Sequence, residues 1–93
     1  MRKHNIHRMF FSCNGIHLKR GISETNSRQA SFKERVIECS EEVCCLADST
    51  KIGLKSSFFF AQIPDLTTVV TNEDADPGFI AALASQHIEV LRA

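Results

Sequence analysis

Val43-Cys44-Cys45-Leu46-Ala47-Asp48-Ser49-Thr50-Lys51-Ile52-Gly53 is the stretch whose reading decides the fold. Its first half is a short apolar run of strand length. Its second half holds a carboxylate, two hydroxyls, an ammonium and a glycine. A buried strand that runs straight into a small polar loop is the pattern of an open α/β sheet, where ligands sit outside the carboxyl ends of the strands. The flanking segments are therefore read for strands and helices that alternate around it.

Upstream, Met9-Phe10-Phe11-Ser12-Cys13 reads as a buried strand closed by a turn at Asn14-Gly15, and Ile16 to Thr25 as a loop containing Gly21. Asn26 is a good N-cap with Gln29 three residues on, so a helix is expected from there to about Ser40. Its apolar face is drawn through Ala30, Phe32, Lys33, Val36, Ile37 and Cys39, and Glu41-Glu42 is expected to break the chain before the strand Val43–Ala47. Downstream, Phe58-Phe59-Phe60 is an apolar block fit for a core or a dimer contact, and Pro64-Asp65-Leu66 a turn or one helical turn. Thr67–Thr71 is β-branched throughout and reads as a strand. Asp76 with Pro77 behind it opens a second helix carrying Phe79, Ile80, Leu83 and Ala84, which His87 ends before a last strand, Ile88–Leu91.

Strands alternating with helices require crossovers, hence an α/β fold with a parallel sheet. A parallel sheet needs both faces covered, and two helices cover four strands only in part. The pattern is that of the second half of a larger α/β domain.

Composition excludes several classes. The chain has 93 residues, 43% hydrophobic and 24% charged, with 11 basic residues against 11 acidic ones, so there is no overall pull toward nucleic acid or anionic lipid. Residues 1–7 form a polar basic segment containing Arg2, Lys3, His4 and His7, and residues 8–93 form the unit. Residues 1–20 carry Arg2, Lys3, Arg8, Lys19 and Arg20 with no acid; a basic arm for nucleic acid is one reading of them and a solvated surface the favoured one. No run is long enough to span a membrane and no signal peptide is legible, so the expected location is the cytoplasm. Cys13, Cys39, Cys44 and Cys45 lack metal-ligand spacing and read as reduced core fillers.

The whole pattern resembles the C-terminal part of the sugar-sensing domain of DeoR-family transcriptional repressors. Leu46-Ala47-Asp48-Ser49-Thr50-Lys51-Ile52-Gly53 is similar to that family's Asp-Ser-Ser-Lys-x-Gly signature. Phe10-Phe11-Ser12-Cys13-Asn14-Gly15-Ile16-His17, Gly21-Ile22-Ser23, Gln29–Lys33, Leu66–Asn72, Ala75-Asp76-Pro77 and Ile88-Glu89-Val90 follow in the family's order. Gln29, Asn72 and His17 stand where an acid is usual. The resemblance implies a partial Rossmann-like parallel sheet, the second half of a phosphosugar-isomerase-like sensor domain. It further implies a truncated regulator fragment, a pseudogene-like remnant without the winged helix-turn-helix and with no direct DNA binding of its own. The fragment would sense a phosphorylated sugar and form homo-oligomers or co-assemble with an intact regulator. A small phosphosugar isomerase-like enzyme and a co-assembling interaction protein are the alternatives.

The candidate effector-binding residues are Asp48, Ser49, Thr50, Lys51 and Gly53, with Asn14 and Gly15 at the end of a neighbouring strand. Lys51 would meet a phosphate as a point charge and Asp48 would accept sugar hydroxyls. Ser49, Thr50 and the Gly53 backbone would donate to phosphate oxygens. Asp48 as a plain turn cap, with Lys51 a solvated charge, is the competing reading, and Gly15 fits a tight turn as well as a cleft. Glu73, Asp74 and Asp76 suit Mg²⁺ less well than a solvated loop ending in a helix cap. No catalytic residue, metal site or cofactor is expected.

Overall fold

The computed structural model describes residues 6–93; Arg2, Lys3 and His4 lie outside the described residues. In chain order the elements are β1 (Ile6–Ser12), β2 (Gly15–His17), β3 (Gly21–Glu24), α1 (Ser27–Glu38), β4 (Ser40–Leu46), β5 (Phe58–Ala61), β6 (Thr68–Thr71), α2 (Pro77–Ser85) and β7 (Glu89–Arg92). Single 3-10 turns stand at Ser49–Lys51 and Ile63–Asp65. The parallel sheet is present, with strand order β1-β4-β6-β7 and every neighbouring pair parallel.

Both helices begin as their sequences dictate. Asn26 Oδ1 accepts from the N–H groups of Arg28 and Gln29 at 2.9 and 3.0 Å, which satisfies two donors that the first turn leaves unpaired. At α2 the Asp76 carboxylate accepts from Phe79 N–H at 2.9 Å, with Pro77 behind it. His87 ends α2 in a left-handed conformation, φ 67°. The His87 N–H reaches Ala84 O at 3.0 Å and the Ile88 N–H reaches Leu83 O at 3.2 Å, so the last carbonyls are closed off before β7 begins.

Five expectations need correction. Residues 16–25 do not form a loop: β2 and β3 make an antiparallel hairpin, and β5 joins it in a three-stranded sheet of order β2-β3-β5. Strands of three and four residues are too short to show a period, and their partner β5 is distant in sequence. Asn14-Gly15 is not a closing turn either, since Gly15 opens β2. Glu41 and Glu42 do not break the chain but lie inside β4, because partners wait across the strand pair. Arg8 Nε donates to Glu42 Oε1 at 2.6 Å and His7 Nδ1 to Glu41 Oε1 at 3.1 Å. Finally, α1 buries Ala30 fully and Val36 and Ile37 in part, whereas Phe32 is 63% exposed. β1 itself begins at Ile6, inside the segment read as polar.

The core lies on one face of the parallel sheet. Met9, Phe11, Val43, Cys45 and Val69 pack there with Ala30 of α1, Phe79 and Leu83 of α2, and Ile16, Ile22 and Phe60 of the small sheet. Phe11 and Phe60 meet edge to face at 5.3 Å. Cys13 and Cys45 lie in this core with sulfurs 3.7 Å apart, both as free thiols; the hydrogen bond between them, together with burial, pushes the Cys45 thiol up. Cys44 points the other way, as neighbours on a strand must. That opposite face carries Phe10, Leu46 and Leu91 at 60, 42 and 48% exposure, with no helix across it among the described residues.

One buried ion pair ties the two sheets and α1 together. Lys33 Nζ donates to Glu24 Oε1 at 2.5 Å and to Ser12 O at 2.6 Å, and both side chains are 12% exposed. Lys33→Ala leaves the Glu24 carboxylate buried without a counter-charge and should cost about 3–5 kcal/mol of stability. The double variant Lys33→Met/Glu24→Leu should recover most of that loss. Urea denaturation of the three proteins checks both outcomes.

Candidate functional site

Ala47 is still held to the sheet, its N–H on Val70 O at 3.0 Å, so the chain leaves β4 from a fixed point. Asp48 then caps the Ser49–Lys51 turn: its carboxylate accepts from Thr50 N–H at 2.9 Å and from the Thr50 hydroxyl. Those two bonds, with the nearby Lys51 charge, hold the Asp48 carboxyl below the usual carboxylate range. The Lys51 N–H on Asp48 O at 3.0 Å completes the turn.

A residue that sequence reasoning did not place at the loop locks it to the next strand. Asn72, just past β6, accepts from Ser49 N–H at 2.6 Å through Oδ1 and donates from Nδ2 to Ser49 Oγ at 3.2 Å. The Ser49 N–H fixes which amide atom is the oxygen, so Nδ2 donates to the Ser49 hydroxyl, where a carboxylate would instead accept from it. The signal was available, in that Asn72 ends the strand beside β4.

Beyond the turn, Ile52 pairs with Ile16 of β2 in a parallel bridge, and Gly53 N–H donates to Ile16 O at 2.8 Å. Gly53 has φ +83°, a conformation that a side chain would strain. Asn14 and Gly15 sit at the opposite end of this contact. Asn14 Oδ1 accepts from Thr25 N–H at 3.0 Å and from Thr25 Oγ1 at 3.2 Å, holding the entrance to α1. At Gly15 a β-carbon would lie 2.5 Å from Leu54 O, so glycine lets the outgoing loop pass over β2. The structure thus gathers Asp48, Ser49, Thr50 and Lys51 into one self-bonded turn and sets Gly53 just beyond it. Asn14 and Gly15 meet the same loop farther along, near Leu54.

The loop borders a cavity of about 640 Å³. Its walls are His17, Leu18 and Lys19 from the β2–β3 hairpin, Ile52 and Gly53 from the loop, and Asp76, Gly78 and Phe79 from the start of α2. Of the candidate residues only Gly53 lines it directly. The hairpin and α2 residues were missed as a wall because the Ile16–Ile52 pairing that brings them together is long-range and leaves no local pattern. Asp76 is occupied as a cap, and among the described residues no three His, Cys, Asp or Glu side chains gather to hold a metal ion.

The chain matches the DeoR C terminal sensor domain family over residues 1–73, a span that ends just past β6 and Asn72. It is 30% identical over 90 residues to the uncharacterized HTH-type transcriptional regulator YulB of Bacillus subtilis (strain 168), which covers 97% of this chain and 35% of the relative. It is 31% identical over 74 residues to the HTH-type transcriptional regulator IolR of the same organism, 80% of this chain and 30% of the relative. With the HTH-type transcriptional regulator UlaR of Escherichia coli O1:K1 / APEC the identity is 26% over 86 residues, 92% of this chain and 34% of the relative. The chain therefore spans about a third of the length of these curated relatives.

The depressed Asp48 carboxyl has a signed consequence. A lowered folded value means that the cap contributes above the unfolded aspartate value of about 3.9 and is lost as pH falls through the lower folded value. The Thr50 amide-proton shift, followed by NMR from pH 6 to 2, should titrate with a midpoint below about 3.9. In Asp48→Asn that titration should disappear.

Proposed function

This chain belongs to the family of DeoR C-terminal sensor domains, and we propose that it is the effector-sensing and oligomerising part of a transcriptional regulator of carbohydrate metabolism. Its proposed effector is a phosphorylated sugar. The observation that carries this reading is the Asp48–Gly53 turn, pinned at the carboxyl ends of β4 and β6 and bordering a cavity of about 640 Å³. Lys51 supplies a point charge for the phosphate, and Asp48 accepts from sugar hydroxyls. Ser49, Thr50 and the Gly53 backbone shape the phosphate end, and Asn14 and Gly15 hold the hairpin that closes the site.

The relatives are regulators, which favours a binding role over catalysis for the same cleft. Cytoplasmic action fits such a role, and no helix among the described residues is long and apolar enough to cross a membrane. The bare sheet face with Phe10, Leu46 and Leu91 supports assembly, either with a second copy or with an intact regulator. DNA reading is assigned to such an assembly and not to these 93 residues alone. An electrophoretic shift with operator DNA should accordingly show no specific band for the isolated chain.

Calorimetric titration with a set of sugar phosphates tests the site. Lys51→Ala should lose about ten- to a hundredfold in affinity, as expected for one charge-assisted hydrogen bond, while Lys55→Ala stays near the parent. Equal loss in both variants would mean diffuse charge attraction, and no binding by the parent would overturn the proposal. For assembly, sedimentation should show an oligomer that Leu91→Lys shifts toward monomer, since a lysine there puts a charge into an apolar contact.

A further inference from the structure

The cavity beside the loop has a wall whose chemistry is set by one histidine. His17 ends β2, and its ring caps the three-residue connection to β3: Nδ1 accepts from the N–H of Lys19 at 3.2 Å and of Arg20 at 3.1 Å. A nitrogen that accepts two hydrogen bonds carries no proton, so in the neutral ring the proton resides on Nε2. His17 lines the cavity, and Nε2–H is the polar group of its ring that the turn leaves unused. Lys19 lines the same side. Arg20 does not share the role, because its guanidinium is held 5.2 Å over the Phe59 ring. The one carboxylate in the wall, Asp76, lies on the α2 side and is engaged by the Phe79 N–H.

We propose that His17 is a specificity-determining residue of this cavity: it donates from Nε2 to an oxyanion of the bound effector, and Lys19 supplies the compensating charge. The oxyanion is a phosphate or carboxylate group. The remainder of the ligand lies toward Ile52, Phe79 and Asp76, where apolar surface and one acceptor suit a hydroxylated carbon skeleton. The inference rests on the sensor reading above and deepens it: His17 and Lys19 meet the anion from the hairpin while Lys51 approaches it from the loop, and the neutral end lies at α2. It also gives the hairpin a means of responding to ligand, because the group that touches the anion is the group that holds the turn closed.

Two substitutions separate turn-capping from ligand contact. Asp at this position still accepts from the Lys19 and Arg20 N–H groups but presents a negative charge to the cavity. Asn accepts through its oxygen and keeps a donor. NMR titration of the 93-residue protein with inorganic phosphate should perturb the Lys19, Arg20 and Gly53 amides. His17→Asp should weaken this binding by about ten- to a hundredfold, and His17→Asn should stay within a few-fold of the parent. All three proteins should retain the same far-UV spectrum. The side-chain ¹⁵N shifts of His17 should report the Nε2–H tautomer at pH 8. Phosphate binding unchanged in His17→Asp, or the Nδ1–H tautomer, overturns the inference. Perturbation confined to Ser49–Lys51 also overturns it while leaving the sensor reading intact. If neither region responds to inorganic phosphate or to a panel of sugar phosphates, both fail.

Discussion

The ammonium of Lys33 is where three elements of this protein are joined. It rises from α1 to the last carbonyl of β1 at Ser12 and to the Glu24 carboxylate at the end of β3, beneath the faces of Phe11 and Phe60. Burying a charge costs several kcal/mol unless it is paired and its remaining protons are bonded, so α1, the parallel sheet and the small antiparallel sheet can pack only in the arrangement that satisfies it. That arrangement points the end of β1 and the hairpin β2–β3 toward the loop after β4. The cavity beside the loop is thus positioned by a contact at Ser12 and Glu24 that lies outside its own walls.

Loop geometry depends on a second layer of polar closure. The Asp48 cap and the Thr50 bonds make the turn, but only the paired bonds between Asn72 and Ser49 fix it to β6. Ile52 and Gly53 then extend it onto β2. A short polar segment that would sample many conformations in isolation is therefore held at both ends and at its centre. The loop has little conformational entropy left to lose there.

The parallel sheet is unequally covered. Its inner face holds nearly all of the core, whereas the outer face sets Phe10, Leu46 and Leu91 beside the Arg8–Glu42 pair. That pair is half exposed and screened by solvent, so it does little to compensate for apolar surface left in water. The surface is suited to a covering partner.

Residues that act on their neighbours in sequence were legible without a fold. Asn26 and Asp76 as caps, Pro77 behind the second, the β-branched run at Thr68–Thr71 and the strand leading into Asp48 each owe their structure to chemistry within a few positions. The parallel sheet followed from their alternation, and the Asp48–Gly53 motif announced the family. Tertiary structure alone decided the rest. β2, β3 and β5 are too short to show a period, and they are strands because each finds a distant edge to pair with. Glu41 and Glu42 stay in β4 because His7 and Arg8 lie opposite. Asn72 reaches the site, and His17 becomes a cavity wall, only because β6 ends beside β4 and Ile16 pairs with Ile52. Hydrogen bonds between residues dozens of positions apart leave no local trace in the chain, so the site's walls appear only once it has folded.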